Sequence, residues 1–570
     1  MNQLHQFRQQ PPAPLARRPI KVPTASATKL SNGLSIVVIE DRRLPLISYR
    51  LAYRTGDAHD PPRFPGLTDM LAGLLTEGTE SLTSREIADE VARMGATVSA
   101  GANSDYTSVA ASSLSRFSDN ILELMADVTL RPSFPEGEVE LTKQNTKESL
   151  RQQRAQPSFL ASEMVARVMF GDHPYSVIAP TPESIDETSR DQIVQFHASK
   201  FLPNNAVFIV AGDFSTDSLL KKIESLFGEW EPGKIPGEDF PSPPVRTSRS
   251  AYVVDRAGSA QSNIVIANSG ITRTSPDYFP ALLMHTVLGA NASSRLFMNL
   301  REEKGYTYGA YSNLDARRAA GSFRVSAEVR TQVTGDSLKE FFYELNRIRT
   351  DPVTKKEISD AKSYLTGVFP IRLETQEGLI DQFVQMRMFG LPDDYLETYR
   401  DRVQAVTIAE IQEVASRYIR PDLAAIVVVG DGRQIIEQME PYTEEVEFYN
   451  TAGKLKTKPT DSVYSIARAS LVGTWLLDIQ TPLGQTIPAN LIITEGEEGL
   501  DGRVESEIGE ASLASAVLEG QSFSATMSFN MDGNTVEAQI SGDIQDHQME
   551  GTITLQNAPP MTFTGGKSAQ

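Results

Sequence analysis

Apolar residues along the 570-residue chain change period several times, and each change predicts a change of element. After Asn32-Gly33, a dipeptide suited to a hairpin turn, residues 34–40 and 46–53 read as strands. Between Leu67 and Leu75 the apolar positions recur at helical spacing, opened by Pro65-Gly66 and closed by Glu77-Gly78-Thr79, which predicts a short buried helix. A second helix is expected over 84–94 with Ser84 as its cap, then strands over 95–100 and 106–113. Amphipathic stretches at 117–129, 136–153, 157–170 and 189–201 predict helices, and 205–211 a strand.

The pattern then repeats. Met169-Phe170-Gly171 recurs as Met388-Phe389-Gly390, and the strand "NNAVFIVAGD" ending at Asp213 recurs as "DLAAIVVVGD" ending at Asp431. Met94-Gly95-Ala96-Thr97-Val98 stands where the second copy has Lys304-Gly305-Tyr306-Thr307-Tyr308. Two copies of one α/β unit follow from this, divided by composition into an arm over 1–24, halves over 25–231 and 248–448, and linkers over 232–247 and 449–466. In 467–570 the turns Leu500-Asp501-Gly502, Leu518-Glu519-Gly520, Met531-Asp532-Gly533 and Met549-Glu550-Gly551 separate alternating stretches, which predicts a small all-β barrel or sandwich. The expected fold class is α+β: two sheet-and-helix halves followed by a β domain.

Composition narrows the chemistry. With no cysteine, disulfides, thiol catalysis and Cys-ligated metals are excluded. A net charge of −20, spread along the chain, argues against nucleic acid or anionic membrane as partner, and no apolar run reaches the ~20 residues of a membrane helix. The first two dozen residues lack the apolar core of a signal peptide; their Pro/Gln/Ala/Arg character suggests a mature protein of the bacterial periplasm or exterior, with a cytoplasmic location as the alternative. The six histidines, His5, His59, His173, His197, His285 and His547, include no pair three or four apart, so none forms a helical ligand pair.

The stretch from Phe64 to Thr79 closely resembles the zinc-site helix of the pitrilysin/insulinase family of metallopeptidases, which reads G-L-A-H-F-L-E-H-M-L-F-K-G-T around an inverted H-x-x-E-H motif. The order from "KLSNGLSIVV" through "GDAHDPP" to "GLTDMLAGLLTEGT" matches the family's start, and the resemblance covers about 25–445. At the positions of His, Glu and His stand Asp69, Ala72 and Gly73. Residues at i, i+3 and i+4 share a helix face, yet glycine offers no ligand and alanine no base. The family's third ligand falls on Ser149 and its supporting acid on Thr142; a shift of one residue would put Glu148 at the ligand position. The resemblance therefore implies no metal in this chain. The segment from Leu288 to Gly309 resembles the family's L-G-G-x-x-S-S-R-L-F-x-x-L-R-E-K-x-G-L-x-Y-S, in which the second-half Arg and Tyr reach the zinc site and stabilise the oxyanion. Arg301 and Tyr308 carry that pair over; the alternative is a helix-end arginine paired with a nearby Glu and a half-buried strand tyrosine. Gly95, Ala96, Thr97, Val98, Ser99 and Ala100 align with the edge that accepts substrate as an added strand, or form an ordinary strand.

These features resemble the zinc-less partner in bacterial two-subunit members of the family. They imply a heterodimer with a related chain that bears an intact H-x-x-E-H and holds the zinc, acting on peptides or partly unfolded chains. The alternative is a proteolytically inactive scaffold or peptide-binding pseudopeptidase.

Overall fold

The computed structural model describes residues 22–235, 237, 239–443, 445–456, 471–481, 485–496, 499–507, 509–519, 522–531, 534–545, 548–555 and 561–568. Most of the expected arm, residues 457–466 of the second linker, residues 467–470 after it, Gly520, Asp532 and Gly533 of the expected turns, and His5 and His547 lie outside the described residues.

The first half runs β1 (Ser26–Lys29), β2 (Ser35–Glu40), β3 (Leu46–Tyr53), α1 (Leu67–Leu74), α2 (Ser84–Met94), β4 (Thr97–Ala102), β5 (Thr107–Leu114), α3 (Ser118–Leu130), α4 (Glu136–Arg154), α5 (Pro157–Phe170), α6 (Pro182–Glu187), α7 (Arg190–Lys200), β6 (Ala206–Gly212) and α8 (Thr216–Phe227). Its sheet order is β1-β2-β6-β3-β5-β4. β6 is apolar throughout because it is buried at every position, parallel to β2 and antiparallel to β3. From β3, Ile47, Tyr49, Leu51 and Tyr53 join a core with Leu67, Leu71 and Leu74 of α1 and Ile121 and Met125 of α3. The cap of α2 falls on Thr83 rather than on Ser84. The Thr83 hydroxyl accepts from the Glu86 backbone N–H, and the Glu86 carboxylate accepts from the Thr83 N–H at 2.9 Å, so a capping box opens the helix one residue earlier.

The second half comprises β7 (Ser250–Asp255), β8 (Gln261–Ser269), α9 (Tyr278–Gly289), a π-helical turn (Phe297–Glu303), β9 (Thr307–Ala316), β10 (Gly321–Arg330), α10 (Thr334–Thr350), α11 (Lys355–Arg372), α12 (Gln376–Phe389), α13 (Tyr395–Ala405), α14 (Ile408–Tyr418), β11 (Ala425–Gly430), α15 (Gly432–Met439), β12 (Val446–Tyr449) and β13 (Leu455–Lys456). Its sheet order is β13-β12-β7-β11-β8-β10-β9. Substituting β7, β11, β8, β10 and β9 for β2, β6, β3, β5 and β4 reproduces the first sheet, so the repeat extends to strand order. Equivalent glycines also share a positive φ. Gly95 (φ 58°) and Gly305 (φ 65°) precede the edge strands β4 and β9, and Gly171 (φ 56°) and Gly390 (φ 65°) close the two Met-Phe-Gly helices. Each is in the left-handed region where a side chain is costly.

The two halves meet on the face of the first sheet opposite its helices. Alternation along β3 turns Arg50 to that face, where α12 packs against β3 and β6. The Arg50 guanidinium bonds Glu377 at 2.8 Å and Asp381 at 3.1 Å, and Gln376 Nε2 donates to the Leu46 carbonyl at 3.3 Å.

The last region is a closed barrel of β14 (Gly473–Gln480), β15 (Thr486–Gly496), β16 (Gly499–Ser506), β17 (Gly509–Glu519), β18 (Ser522–Met531), β19 (Asn534–Gln545), β20 (Gln548–Leu555) and β21 (Met561–Lys567), with β21 back on β14. Trp475, Leu477, Ile479, Leu491, Phe523, Ile540 and Phe563 fill its interior. Outward positions such as Asp478, Gln480 and Asn490 are polar, the reverse of an outer-membrane barrel. The closed barrel thus decides between the two β architectures expected. Among the described residues no helix is long and apolar enough to cross a membrane.

The chain divides into two compact units: residues to 250 with 263–328 and 336–427, and 251–262 with 329–335 and 428 onward. Each holds one of the two tryptophans. Trp230 packs on Tyr53, ring centroids 6.1 Å apart, and Trp475 donates from Nε1 to the Leu471 carbonyl at 2.9 Å. Urea unfolding followed by fluorescence in Trp475→Phe and in Trp230→Phe should give two different midpoints; coincident midpoints would show one cooperative unit instead.

Candidate functional site

Helix α1 is shaped by its anchoring. Asp60 accepts from the Gly66 N–H (2.8 Å), the Thr68 N–H (2.9 Å) and the Thr68 hydroxyl (2.5 Å), which satisfies donors that a helix start leaves open. Gly66 has φ 90°, and a Cβ there would lie 2.8 Å from Pro180. Leu67, Met70, Leu71 and Leu74 are buried. Asp69 and Gly73 face solvent, whereas Ala72 is 1% exposed. A Cβ at Gly73 would meet nothing within 4 Å, so the position lacks a ligand through its chemistry and not through crowding. Helix α4 packs beside α1 and carries Ser149 on its exposed side, where Ser149 accepts from Gln153 at 3.3 Å. Glu148 is committed to Arg151 at 3.3 Å. One carboxylate and a serine hydroxyl do not fit a catalytic zinc, which takes three protein ligands.

The surroundings of α1 hold four carboxylates and one buried imidazole, His173. Asp57, Asp60, Asp69 and Asp172 line a cavity of about 170 Å³ walled by Pro61, Pro65 and Ile178 among others. Burial, with Asp69 and Asp60 adding repulsion and Arg317 opposing, pushes the Asp57 carboxyl up to about 8. Burial raises Asp60 to about 6 despite its three hydrogen bonds.

Arg301 and Tyr308 lie on one continuous segment at the edge of the second sheet. Arg301 lies within the π-helical turn, a geometry that recurs at functional sites. Its Cζ stands 4.8 Å from the Phe297 ring centroid, and its Nε is 3.6 Å from the Glu302 carboxylate. Its side chain is 45% exposed. Tyr308, second residue of the edge strand β9, is 89% exposed, which overturns the alternative of a half-buried strand aromatic. The Glu302 neighbour is the kind of pairing the structural alternative for Arg301 expected. Gly95 caps α2, and Thr97–Ala102 form β4, the outermost strand of the first sheet. Gly95 and Ala96 precede that strand. Its residues include no lysine, proline or other charge of the sort that blunts edges.

Residues 36–182 match the insulinase (peptidase family M16) description, and residues 187–365 match the peptidase M16 inactive domain. The chain belongs to the peptidase M16 family. An uncharacterized zinc protease, YmxG of Bacillus subtilis, is 23% identical over 406 residues, 70% of this M16 chain and 97% of that protein. A non-peptidase homolog of Helicobacter pylori is 24% identical, covering 70% and 92%. Among solved structures, a peptidase M16 inactive domain from Pseudomonas fluorescens superposes with a TM-score of 0.68 and 25% identity, covering 71% of this chain and 98% of that one. A Helicobacter pylori protease gives 0.66 and 20%, covering 71% and 99%.

Sequence reasoning missed the polar joint between the halves of this M16 chain. Tyr175 donates its hydroxyl to Asp105 and accepts from the Ala319 N–H at 3.2 Å. Asp105 accepts from the Arg318 N–H at 3.2 Å, and Arg317 reaches the Ser104 hydroxyl at 3.0 Å. The signal was in the repeat: a tyrosine follows each Met-Phe-Gly, Tyr175 in the first copy and Tyr395 in the second. Of the histidines, His285 is a core residue bonded to the Ser312 hydroxyl at 2.7 Å and held near 4 by burial. His173 is buried with its Nδ1 accepting from the Tyr175 N–H at 3.0 Å.

Asp57 makes stability pH-dependent. Its folded-state affinity for a proton exceeds the ordinary carboxylate's, so its contribution is present below about pH 4 and is lost as pH rises through 8. Asp57→Asn keeps the group neutral. We expect its melting temperature to gain on that of the parent as pH rises from 5 to 8.5. A pH-independent difference would contradict the assignment.

Proposed function

We propose that this chain is the zinc-less subunit of a two-chain M16 peptidase, supplying Arg301 and Tyr308 in trans to a related subunit that bears an intact H-x-x-E-H. The observation that carries the reading is the contrast between two segments. Helix α1 has the family's frame without its donors, whereas the Arg301/Tyr308 segment keeps both side chains open to solvent. Tyr308 makes no hydrogen bond among the described residues, and at 89% exposure its ring contributes nothing to the core. A phenol presented this way can donate to a developing oxyanion, and a guanidinium can hold a peptide carbonyl or carboxylate with a fork of donors. Zinc, its water and the glutamate base belong to the partner in this reading. The edge β4 would hold the peptide by strand addition, with Ser99 and Ala100 midway along it.

A second reading is a peptide-binding pseudopeptidase or scaffold. It is favoured by the Glu302 neighbour of Arg301 and by the non-peptidase description of the Helicobacter pylori relative. The two readings part on reconstitution with a related M16 chain that keeps H-x-x-E-H. The first expects peptide cleavage only in the mixture, and Arg301→Ala or Tyr308→Phe should lower the rate of an intact complex by ~10²–10³, as removal of an oxyanion donor does. Unchanged rates in both variants would eliminate the trans role and leave the scaffold.

A further inference from the structure

The loop between β8 and α9 holds a guanidinium that the reading above does not use. Arg273 is 9% exposed. Its Nη2 donates to the Tyr395 hydroxyl at 2.6 Å, and its Cζ lies 3.8 Å from the Tyr278 ring centroid and 5.1 Å from that of Tyr395. It makes no ion pair among the described residues. Its Nε and Nη1 have no hydrogen-bond partner there, and neither is sealed off by protein. Arg273 helps to line a cavity of about 450 Å³.

A buried charge is ordinarily paired, because desolvation without compensation is expensive. The carboxylates in the cavity wall are committed elsewhere. Asp315 is shared by Arg317 at 2.8 Å and Arg324 at 3.1 Å. Asp105 accepts from the Tyr175 hydroxyl and the Arg318 N–H. The lining holds two guanidiniums, Arg273 and Arg317, and two carboxylates, and with Asp315 on Arg317 and Arg324 and Asp105 on Tyr175 and the Arg318 backbone, neither carboxylate is paired with Arg273. The neighbouring wall is apolar. Tyr106 and Phe389 meet edge to face, 6.5 Å between centroids, beside Leu314. Asn103 places this wall immediately after the last residue of β4.

We propose that this cavity is a carboxylate subsite, taking the terminal carboxylate of a peptide whose last side chain is aromatic or apolar, or a free acid of the same form. Two N–H groups of Arg273 bind the carboxylate oxygens, and the rings of Tyr106 and Phe389 cover the adjoining side chain. The subsite is independent of Arg301 and Tyr308 and holds for either reading of the function.

The test is calorimetric titration of the full chain with a pentapeptide ending in a free phenylalanine carboxylate, its C-terminal amide, and N-acetylphenylalanine. The acid peptide should bind at least about tenfold tighter than the amide. Arg273→Gln should abolish that preference, and Arg273→Lys should keep part of it. Equal affinity of N-acetylphenylalanine and the acid peptide assigns the site to free acids; binding of the peptide alone assigns it to chain termini. Equal binding of acid and amide, or binding of neither, would overturn the proposal. If Arg273→Gln does not fold, the acid–amide comparison on the unaltered chain decides.

Discussion

Asp105 is the group on which the arrangement of the two halves turns. Nearly enclosed, it accepts from the Tyr175 hydroxyl and the Arg318 backbone, so one carboxylate ties the β4–β5 loop, the segment after α5 and the β9–β10 loop together. Removing a buried acceptor of this kind strands its donors and costs more than the bond itself contributes. The same joint aligns the loops that end the two edge strands, β4 of the first half and β9 of the second. Arg317, stacked 4.8 Å from the Tyr175 ring centroid and bonded to Asp315, belongs to this joint and also opposes the raised proton affinity of Asp57.

Around that joint, the first half keeps a helix for its packing after losing its chemistry. The apolar face of α1 is committed to the sheet through Leu67, Leu71 and Leu74, which explains why the frame persists at positions where no ligand remains. On the solvent side nothing confines Gly73. The surroundings of α1 offer carboxylates and one imidazole, His173, whose Nδ1 is taken by the Tyr175 N–H, and not the ligand helix of a hydrolytic zinc. The second half keeps the opposite balance: Arg301 and Tyr308 have little packing role and open exposure.

Much of this was legible in the chain. Helix α1, the strand at β4 and the two-copy organisation followed from local period and from repeated Met-Phe-Gly and Gly-Asp endings, because those signals are set by neighbours in sequence, whereas the edge position of β4 came from the family resemblance. The helix over 84–94 kept its expected bounds, and only its cap moved, from Ser84 to Thr83. What could not be read was long-range pairing. Arg273 and Asp57 have unremarkable sequence contexts; their states arise from Tyr278, Tyr395, Asp60 and Asp69 being folded around them. The barrel's closure likewise depends on β21 returning to β14, which no local pattern specifies.

The central claim is that this polypeptide cannot hold a hydrolytic ion and lends its second half to a chain that can. The most direct test is elemental analysis of the purified full-length chain after incubation with excess zinc and gel filtration, alongside a peptide-hydrolysis assay of the same material. The account predicts no stoichiometric zinc and no turnover. One tightly held zinc per chain accompanied by peptide cleavage would contradict it.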